Sequence, residues 1–556
     1  MKITARHNTD VLVIGAGASG LRAALAAAEA GAAVILANKG PLARSGITLT
    51  AAGGMQAPLH PDDSAAIFCD DIIACGYGLA DGDLVRALAE DAADRVLETE
   101  RYGVNFVRDA AGGYTLSQFP GQSRPRNLFV RGGGIGLAAA LAKACRSNPR
   151  IQIMDDFFIT GLVRNTGGAA AGAVGLDLRN GELTLLAARA VIMATGGCQW
   201  LWATNDCPAD ATGDGIVYAY RAGAELVDME MALFYPSVLV WPPSLKGAFV
   251  HYEFLAPDAL DGNIYDNAGQ PVLPKPLPVR DQAMRLLARA IKDGRGGPHG
   301  GLLWYVGDSP KGAAAVAAKL DILQYNYIRA HGVDPATDRV EVAPGAHYLM
   351  GGIHIDPDGR TTVAGLFAAP ECAGNFDGAN RLAGNGLTAT QVFGARAGLA
   401  ASRWAAENGG AGPDPAAAEA ETARIAARLD RGSSGTDIAA LRDRLRAAVQ
   451  QHAGVGRDAA GLTRLAQLAR ETQAELAAAR VPDAGVFNQR LVELLELENM
   501  AEIAGLVAGC ALARAETRGH HIRDDFPARD DANWLRHTLA KRTAGGPLFG
   551  AKPLRD

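Results

Sequence analysis

Three glycines at a strand–helix junction are the first residues whose types and spacing point to chemistry. In Asp10-Val-Leu-Val-Ile-Gly15-Ala-Gly17-Ala18-Ser19-Gly20 an apolar run of strand length stops at Gly15, and an alanine-rich helical stretch follows at once. A G-x-G-x-x-G pattern carries meaning in that context. Gly15 permits the tight turn, Gly17 lets the backbone approach a pyrophosphate, and Gly20 lets the helix sit close to the strand. The helix N-terminus then offers oriented N–H groups to the phosphates. The expected chemistry is dinucleotide binding.

The elements around this turn fit that reading. A second strand over residues 33–37 completes a βαβ unit and ends at Ala37-Asn38-Lys39. About twenty residues after the glycines a dinucleotide site usually carries an acid for the ribose hydroxyls; here Asn38 or backbone takes that place, which weighs against NAD more than against FAD. The small-residue loop from Ser45 through Gly53 and Gly54 to Met55 suits backbone lying against a flat ring. Helices are expected over residues 79–102, starting from Asp81 or Asp83 and stopped by Gly103, and over 135–146. The polar, basic loop 119–126 lies between them. Strands follow at 151–153, 172–177 and 183–188, and Ala190-Val-Ile-Met-Ala-Thr195-Gly196-Gly197 is another buried strand ending in a glycine turn. Thr212-Gly-Asp214-Gly215 precedes helical residues 216–222. This order describes a dinucleotide-binding domain interrupted by a β-meander.

From residue 235 to about 339 the composition turns to prolines, glycines, tryptophans and tyrosines, with one amphipathic helix near 281–293, so an inserted domain is expected at 235–340. Residues 341–410 return to the first domain's style, completing the unit begun by 1–234. Beyond 409–415 the chain is rich in alanine, leucine and arginine at helical spacing to about residue 517, and 411–556 reads as a helical domain with an extended tail.

Bulk properties narrow the function class. The 556 residues exceed one ordinary core. A net charge of -6 gives no electrostatic case for nucleic acid or an anionic membrane. The first ten residues are polar and run directly into a strand, and no apolar stretch is long enough to span a bilayer. The seven cysteines show no C-x-x-C spacing, which argues against an iron–sulfur cluster, a zinc site or a disulfide framework, so no metal ligand is expected. A reducing cytoplasm is the plain inference.

Further motifs carry a resemblance. Gly15–Gly20, Thr212–Gly215 with Asp228-Met-Glu-Met231, Val279-Arg280-Asp281 with Gly294-Arg-Gly296, His347-Tyr-Leu-Met-Gly351-Gly352, Gly378-Ala-Asn-Arg381-Leu-Ala-Gly-Asn385, and Glu516-Thr-Arg518-Gly-His520 through Trp534 occur in this order. Together they resemble the flavoprotein subunit of succinate dehydrogenase and fumarate reductase, and L-aspartate oxidase, over nearly the whole chain. The resemblance implies an α/β fold: a Rossmann-like FAD-binding domain interrupted by an inserted α+β capping domain and followed by a C-terminal helical domain. It implies cofactor contacts at Gly15, Gly17, Ala18, Ser19 and Gly20, at Asn38, Lys39 and Ser45, at Gly53 and Gly54, and at Thr195, Gly196 and Asp214. Glu371 is expected on the ribityl chain, and Asn385, Gly386 and Leu387 open a helix facing the flavin's pyrimidine edge.

The implied reaction makes or reduces a carbon–carbon double bond next to a carboxylate, with hydride exchange on one face and proton exchange on the other. The resemblance assigns the proton to Arg280 and carboxylate binding to His347 and Arg381. A guanidinium, with a pKa above about 12, acts only if its proton is replaced as it leaves; Glu253 is the candidate relay, followed by Asp258 and Asp261. Two departures stand out. Where the family has Phe-His-Pro-Thr this chain has Phe234-Tyr235-Pro236-Ser237, so one substrate end would meet a neutral Tyr235, and the usual Thr-Glu becomes Tyr252-Glu253. Residues 40–55 hold no histidine, so FAD is expected to be noncovalent. An aspartate-oxidase-like amino acid oxidation is the second reading, and a flavin-bearing subunit passing electrons to an iron–sulfur partner the third. A non-catalytic dinucleotide-binding module and a nicotinamide enzyme are disfavoured.

Overall fold

The computed structural model describes residues 2–257, 259–408, 412–430 and 436–555. Strand β1 (Ile3–Ile14) alternates half-buried and exposed residues as far as Asn8, and from Val11 runs wholly buried into the glycine turn. The alanine-rich helix α1 (Ala18–Glu29) and strand β2 (Val34–Ala37) complete the βαβ unit. Its small side chains let helix α1 lie close to its neighbours, with nearly every residue buried.

A short ribbon, β3 (Gly54–Gln56) with β4 (Asn127–Phe129), brackets helices α2 (Ala65–Cys75) and α3 (Gly82–Leu97). Helix α2 has no counterpart in the sequence reading; Ser64 caps it, its side chain accepting from the Ile67 N–H. The loop 119–126 turns its charge inward: Arg126 is buried and forks onto Asp63 at 2.9 Å and Asp71 at 2.5 Å.

Helix α4 (Gly133–Ser147) leads to β5 (Ile151–Met154), β6 (Phe157–Arg164), β7 (Ala170–Asp177) and β8 (Glu182–Met193). The sequence reading lacks β6 and divides β8 in two; the strand is continuous through Arg189. The sheet order is β5-β2-β1-β8-β7-β6. Strands β5, β2, β1 and β8 are parallel, and β6, β7 and β8 form the antiparallel meander.

Helix α5 (Asp214–Arg221) and β9 (Leu226–Val227) precede a second sheet, built from β10 (Ala232–Trp241), β11 (Asn263–Tyr265), β12 (Leu302–Tyr305) and β13 (Val340–Leu349) in the order β10-β13-β12-β11. Helix α6 (Arg280–Lys292) packs its apolar face on this sheet, and α7 (Ala313–Lys319) and α8 (Leu323–Ala330) complete the unit. Its core, which includes Tyr252, Leu287, Trp304 and Tyr325, is separate from the main one.

The chain returns through β14 (Gly352–Ile353) and β15 (Leu366–Ala368), and β15 joins the first sheet beside β8. Helix α9 (Asn385–Glu407) then crosses α1. Helices α10 (Pro415–Ala426), α11 (Ile438–His452), α12 (Ala459–Ala478) and α13 (Gln489–Ala513) follow. The tail folds into a hairpin, His537–Thr543 against Gly546–Lys552, whose first strand pairs with β9. Long-range pairing thus converts the expected extended tail into sheet. No helix of the described residues is long and apolar enough to cross a membrane.

Candidate active site

The turn after β1 opens onto a cleft lined by Gly15, Gly17, Ala18, Ser19, Asn38, Lys39, Ser45, Thr195, Gly196, Asp214 and Glu371. These eleven residues come from sequence positions more than three hundred apart, gathered because β1, β2, β8 and β15 end on the same edge of the sheet. Helix α1 carries no side-chain cap and no acid in its first turn, so most of its first N–H groups point unbonded toward the cleft. The Ala18 N–H is the exception, donating to Thr48 Oγ1 at 3.0 Å. Ser19 Oγ is buried with no partner among the described residues. Such free donors, in a glycine turn with close backbone approach, fit a pyrophosphate-bearing cofactor.

Six of the expected contacts do not line this cleft. Gly20 is a packing residue, since a Cβ there would overlap the Gly15 carbonyl oxygen. Gly53 lies against Gly133 at the start of α4, and Gly54 belongs to β3. Asn385 commits its amide to Asp377 at 3.3 Å and its carbonyl to Gln56 at 3.3 Å. Gly386 lies directly under the Arg381 guanidinium, and Leu387 follows in the first turn of α9. Lys39 and Asp214 line the cleft, yet they pair with each other at 3.0 Å, and Lys39 also reaches Glu496 at 2.6 Å.

Glu371 is buried at the junction between this cleft and the second sheet. Burial pushes its carboxyl up to about 7, against the bonds it accepts from Gln199 Nε2 and from the Leu349 N–H at 3.5 Å. A carboxyl so poised both accepts and donates near neutral pH, which suits hydroxyl partners.

Beyond Glu371 the second sheet and α6 bring Tyr235, His347, Glu253 and Arg280 together. Tyr235 on β10 and His347 on β13 lie side by side with ring centroids 5.3 Å apart, because Tyr235 registers opposite Gly345. Asp206 accepts from His347 Nδ1 at 2.7 Å. That bond places the proton on Nδ1 and leaves Nε2 without a hydrogen-bond partner among the described residues. Arg280 begins α6, and its guanidinium lies 5.2 Å from the Tyr235 ring centre. Both Arg280 Nε, at 2.8 Å, and Nη2 donate to Glu253 Oε1. Tyr235 Oη donates to Glu253 Oε2 at 2.7 Å and accepts from the Tyr252 N–H at 3.1 Å. Burial alone would raise the Glu253 carboxyl, but the Arg280 charge more than offsets it and holds the group down to about 2. Tyr235, expected to face substrate, therefore commits its hydroxyl hydrogen to Glu253. Of the other relay candidates, Asp261 pairs with Lys275 at 2.9 Å, and Asp258 lies outside the described residues.

Arg381 lies on the other side of Tyr348, the residue after His347. It is buried, stacks 4.3 Å from the Tyr348 ring centre, and lies across the first turn of α9. It makes no ion pair with any described residue, and its Nε has no hydrogen-bond partner. A buried cation at the positive end of a 23-residue helix attracts an anion from both sources at once.

Sequence reasoning missed the groups that hold this constellation. Asp206 orients His347, Gln199 bonds Glu371 and donates to the His347 carbonyl at 3.2 Å, and Tyr77 bonds Asp281 beside Arg280. None falls in a quoted motif; Asp281 alone, buried in the first turn of α6, signals that a partner is needed.

Comparison with known proteins matches this geometry. A family model described as an FAD binding domain matches residues 10–387, and one described as the fumarate reductase flavoprotein C-terminus matches 442–556. The chain is 34% identical over 568 residues to the fumarate reductase flavoprotein subunit of Mycobacterium tuberculosis, covering 98% of this chain and 96% of that one. It is 35% identical over 530 residues to L-aspartate oxidase of Caulobacter vibrioides, covering 93% and 94%. A solved structure of a quinol fumarate reductase flavoprotein variant from E. coli superposes with a TM-score of 0.91 at 29% identity, covering 100% and 98%. With the phosphate turn in place, these matches show that the chain belongs to the FAD-dependent oxidoreductase family of fumarate reductase, succinate dehydrogenase and L-aspartate oxidase.

Proposed function

We propose that this chain exchanges hydride with a small carboxylate-bearing substrate, forming or reducing the carbon–carbon double bond α,β to the acid. The observation that carries the reading is Arg381, a buried guanidinium at a helix N-terminus with no ion pair among the described residues, in a chain that also sets His347 beside Tyr235 and Arg280 on Glu253. Bound FAD would supply the two-electron hydride chemistry. Arg381 and the free Nε2 of His347 hold the substrate carboxylate and fix the reacting carbons. Arg280 holds the proton on the other side. Burial lowers the affinity of its guanidinium for that proton, but the Glu253 charge more than restores it, so Arg280 stays fully charged at rest. It releases a proton to carbon only in the event in which Glu253 hands it another, and the Tyr235 hydroxyl is the next group on that path. The pair is largely buried, beside the apolar cluster that holds Tyr235, Phe249, Leu255 and Tyr325.

The cofactor is held without a covalent link in this reading, because residues 40–55 hold no histidine. The same feature favours a second reading, an amino acid oxidation like that of the aspartate oxidase relative. A separate electron-transfer protein fits the reductase reading, as the word "subunit" in the name of the mycobacterial relative suggests. The residue division 1–234, 235–340, 341–410 and 411–556 is proposed as the domain plan. Anaerobic reduction of the bound flavin followed by a panel of unsaturated mono- and dicarboxylates tests the leading reading: return of the yellow colour supports it. Oxygen consumption with peroxide release on aspartate, and no reoxidation by any unsaturated acid, would move the assignment to the oxidase. Arg280→Lys should lower turnover at least about 10²-fold with flavin content unchanged.

A further inference from the structure

A second cavity, of about 1040 Å³, lies further along strand β6 from the cofactor cleft. Phe157–Ile159 line the cleft, whereas Thr160, Leu162 and Arg164 line the cavity. Tyr218 borders both, its hydroxyl donating to the Ile159 carbonyl at 2.7 Å. The remaining walls come from α5, α10, α12, α13 and the closing hairpin, so the cavity exists only where segments distant along the chain meet.

Its lining is strongly basic. Six arginines line it, Arg164, Arg221, Arg424, Arg428, Arg470 and Arg542, against three acids, Glu421, Glu498 and Glu502. The chain as a whole carries a formal charge of -6, yet this cavity holds three positive charges in excess. The acids are already paired: Glu421 with Arg424 at 2.9 Å, Glu498 with Arg424 at 2.9 Å and Arg428 at 2.7 Å, Glu502 with Arg221 at 2.8 Å. The other three arginines are exposed and make no ion pair with any described residue. Arg470 donates to Gln467 at 2.7 Å, and Arg542 to the Arg221 carbonyl at 2.9 Å. Three guanidinium forks with open donors around one concavity are the natural partners of phosphate oxygens.

We propose that this cavity binds a nucleoside di- or triphosphate. The excess of three charges matches a polyphosphate, and the volume stands at the upper end of the roughly 300–1,000 Å³ typical of small-molecule sites, far more than a bare phosphate fills. The surplus space is bordered by Leu162, Tyr220, Leu506 and Phe549, which offer apolar and aromatic faces to a base. The site is separate from the cofactor cleft, so its occupant does not compete with FAD.

The test is calorimetric titration of FAD-saturated protein with ATP, ADP, tripolyphosphate and adenosine, with released flavin followed by fluorescence. The expected result is one ATP per chain without flavin release, weaker binding of ADP, and no measurable binding of adenosine. Arg164→Glu and Arg470→Glu should each weaken ATP binding at least about tenfold, while Arg289→Glu, on an exposed face of α6, leaves it unchanged. All three arginines substituted are surface residues, so flavin content and thermal melting serve as checks that the variants are folded. Absence of heat with every polyphosphate, equal affinity in the charge-reversed variants, or flavin release in step with ATP uptake overturns the proposal. Tripolyphosphate binding as tightly as ATP overturns the nucleotide assignment in favour of a bare polyphosphate.

Discussion

At the residue scale the site turns on how an arginine can serve a proton. Glu253 is the group that makes the Arg280 assignment chemically tenable, because both of its oxygens are engaged, one by Arg280 and one by Tyr235. Glu253→Gln keeps the shape but removes the charge and the relay; turnover should fall at least about 10²-fold, with flavin absorbance unchanged. Because the carboxyl is held down to about 2, its own titration should leave no step in the rate profile between pH 5 and 8. Tyr235→Phe tests a different point. If the hydroxyl serves Glu253, kcat drops about tenfold with little change in KM; if it binds substrate, KM rises instead. The motifs led to Arg280, His347 and Arg381, but Asp206 and Gln199 stand in a stretch without any pattern, and they are found only through the side chains that they touch.

Elements decide whether those residues meet. The close approach of α1 to β1 depends on Gly20, where any Cβ runs into the Gly15 carbonyl. Gly20→Ala should therefore weaken FAD retention by shifting the helix whose N-terminus faces the cleft, and equilibrium dialysis should show at least about a tenfold loss. Gly386 has the analogous place in α9, where it leaves room for the Arg381 guanidinium. Periodicity made α1, α6 and the long C-terminal helices readable, since each repeats apolar residues at helical spacing. Helix α2 and strand β6 escaped that reading: α2 buries only Phe68 and Ile72, and β6 follows β5 after only Asp155 and Asp156, so short a gap that the two strands are not separated by pattern.

On the scale of the whole molecule, the closing hairpin is locked in place by buried charge. His537 sits between Asp228 at 2.5 Å and Asp81 at 3.1 Å, and Arg514 bridges Asp228, Glu230 and Glu516. Burial alone would lower the imidazole, but the two carboxylates more than offset it and raise His537 to about 9. A raised folded-state value stabilises the protein fully below the unfolded value near 6.5 and ceases to do so as pH climbs through about 9. The contribution is on the order of 3 kcal/mol. Thermal melting between about pH 6.5 and 9.5 should thus show the wild type losing a few degrees more than His537→Gln, which lacks the titration.

The sequence by itself determined the glycine turn, the cofactor class, the inserted unit and the three residues proposed to grip and protonate a substrate. These follow from local rules: which residues tolerate a tight turn, which repeat with the period of a helix, which motifs stand in a known order. Only the tertiary structure decided that Glu253 touches Arg280, that Arg381 has no ion pair among the described residues, that Tyr235 gives its hydroxyl hydrogen to Glu253, and that six arginines share one cavity. Each of those facts joins segments tens to hundreds of residues apart, and burial and charge pairing between distant segments leave no trace in local pattern.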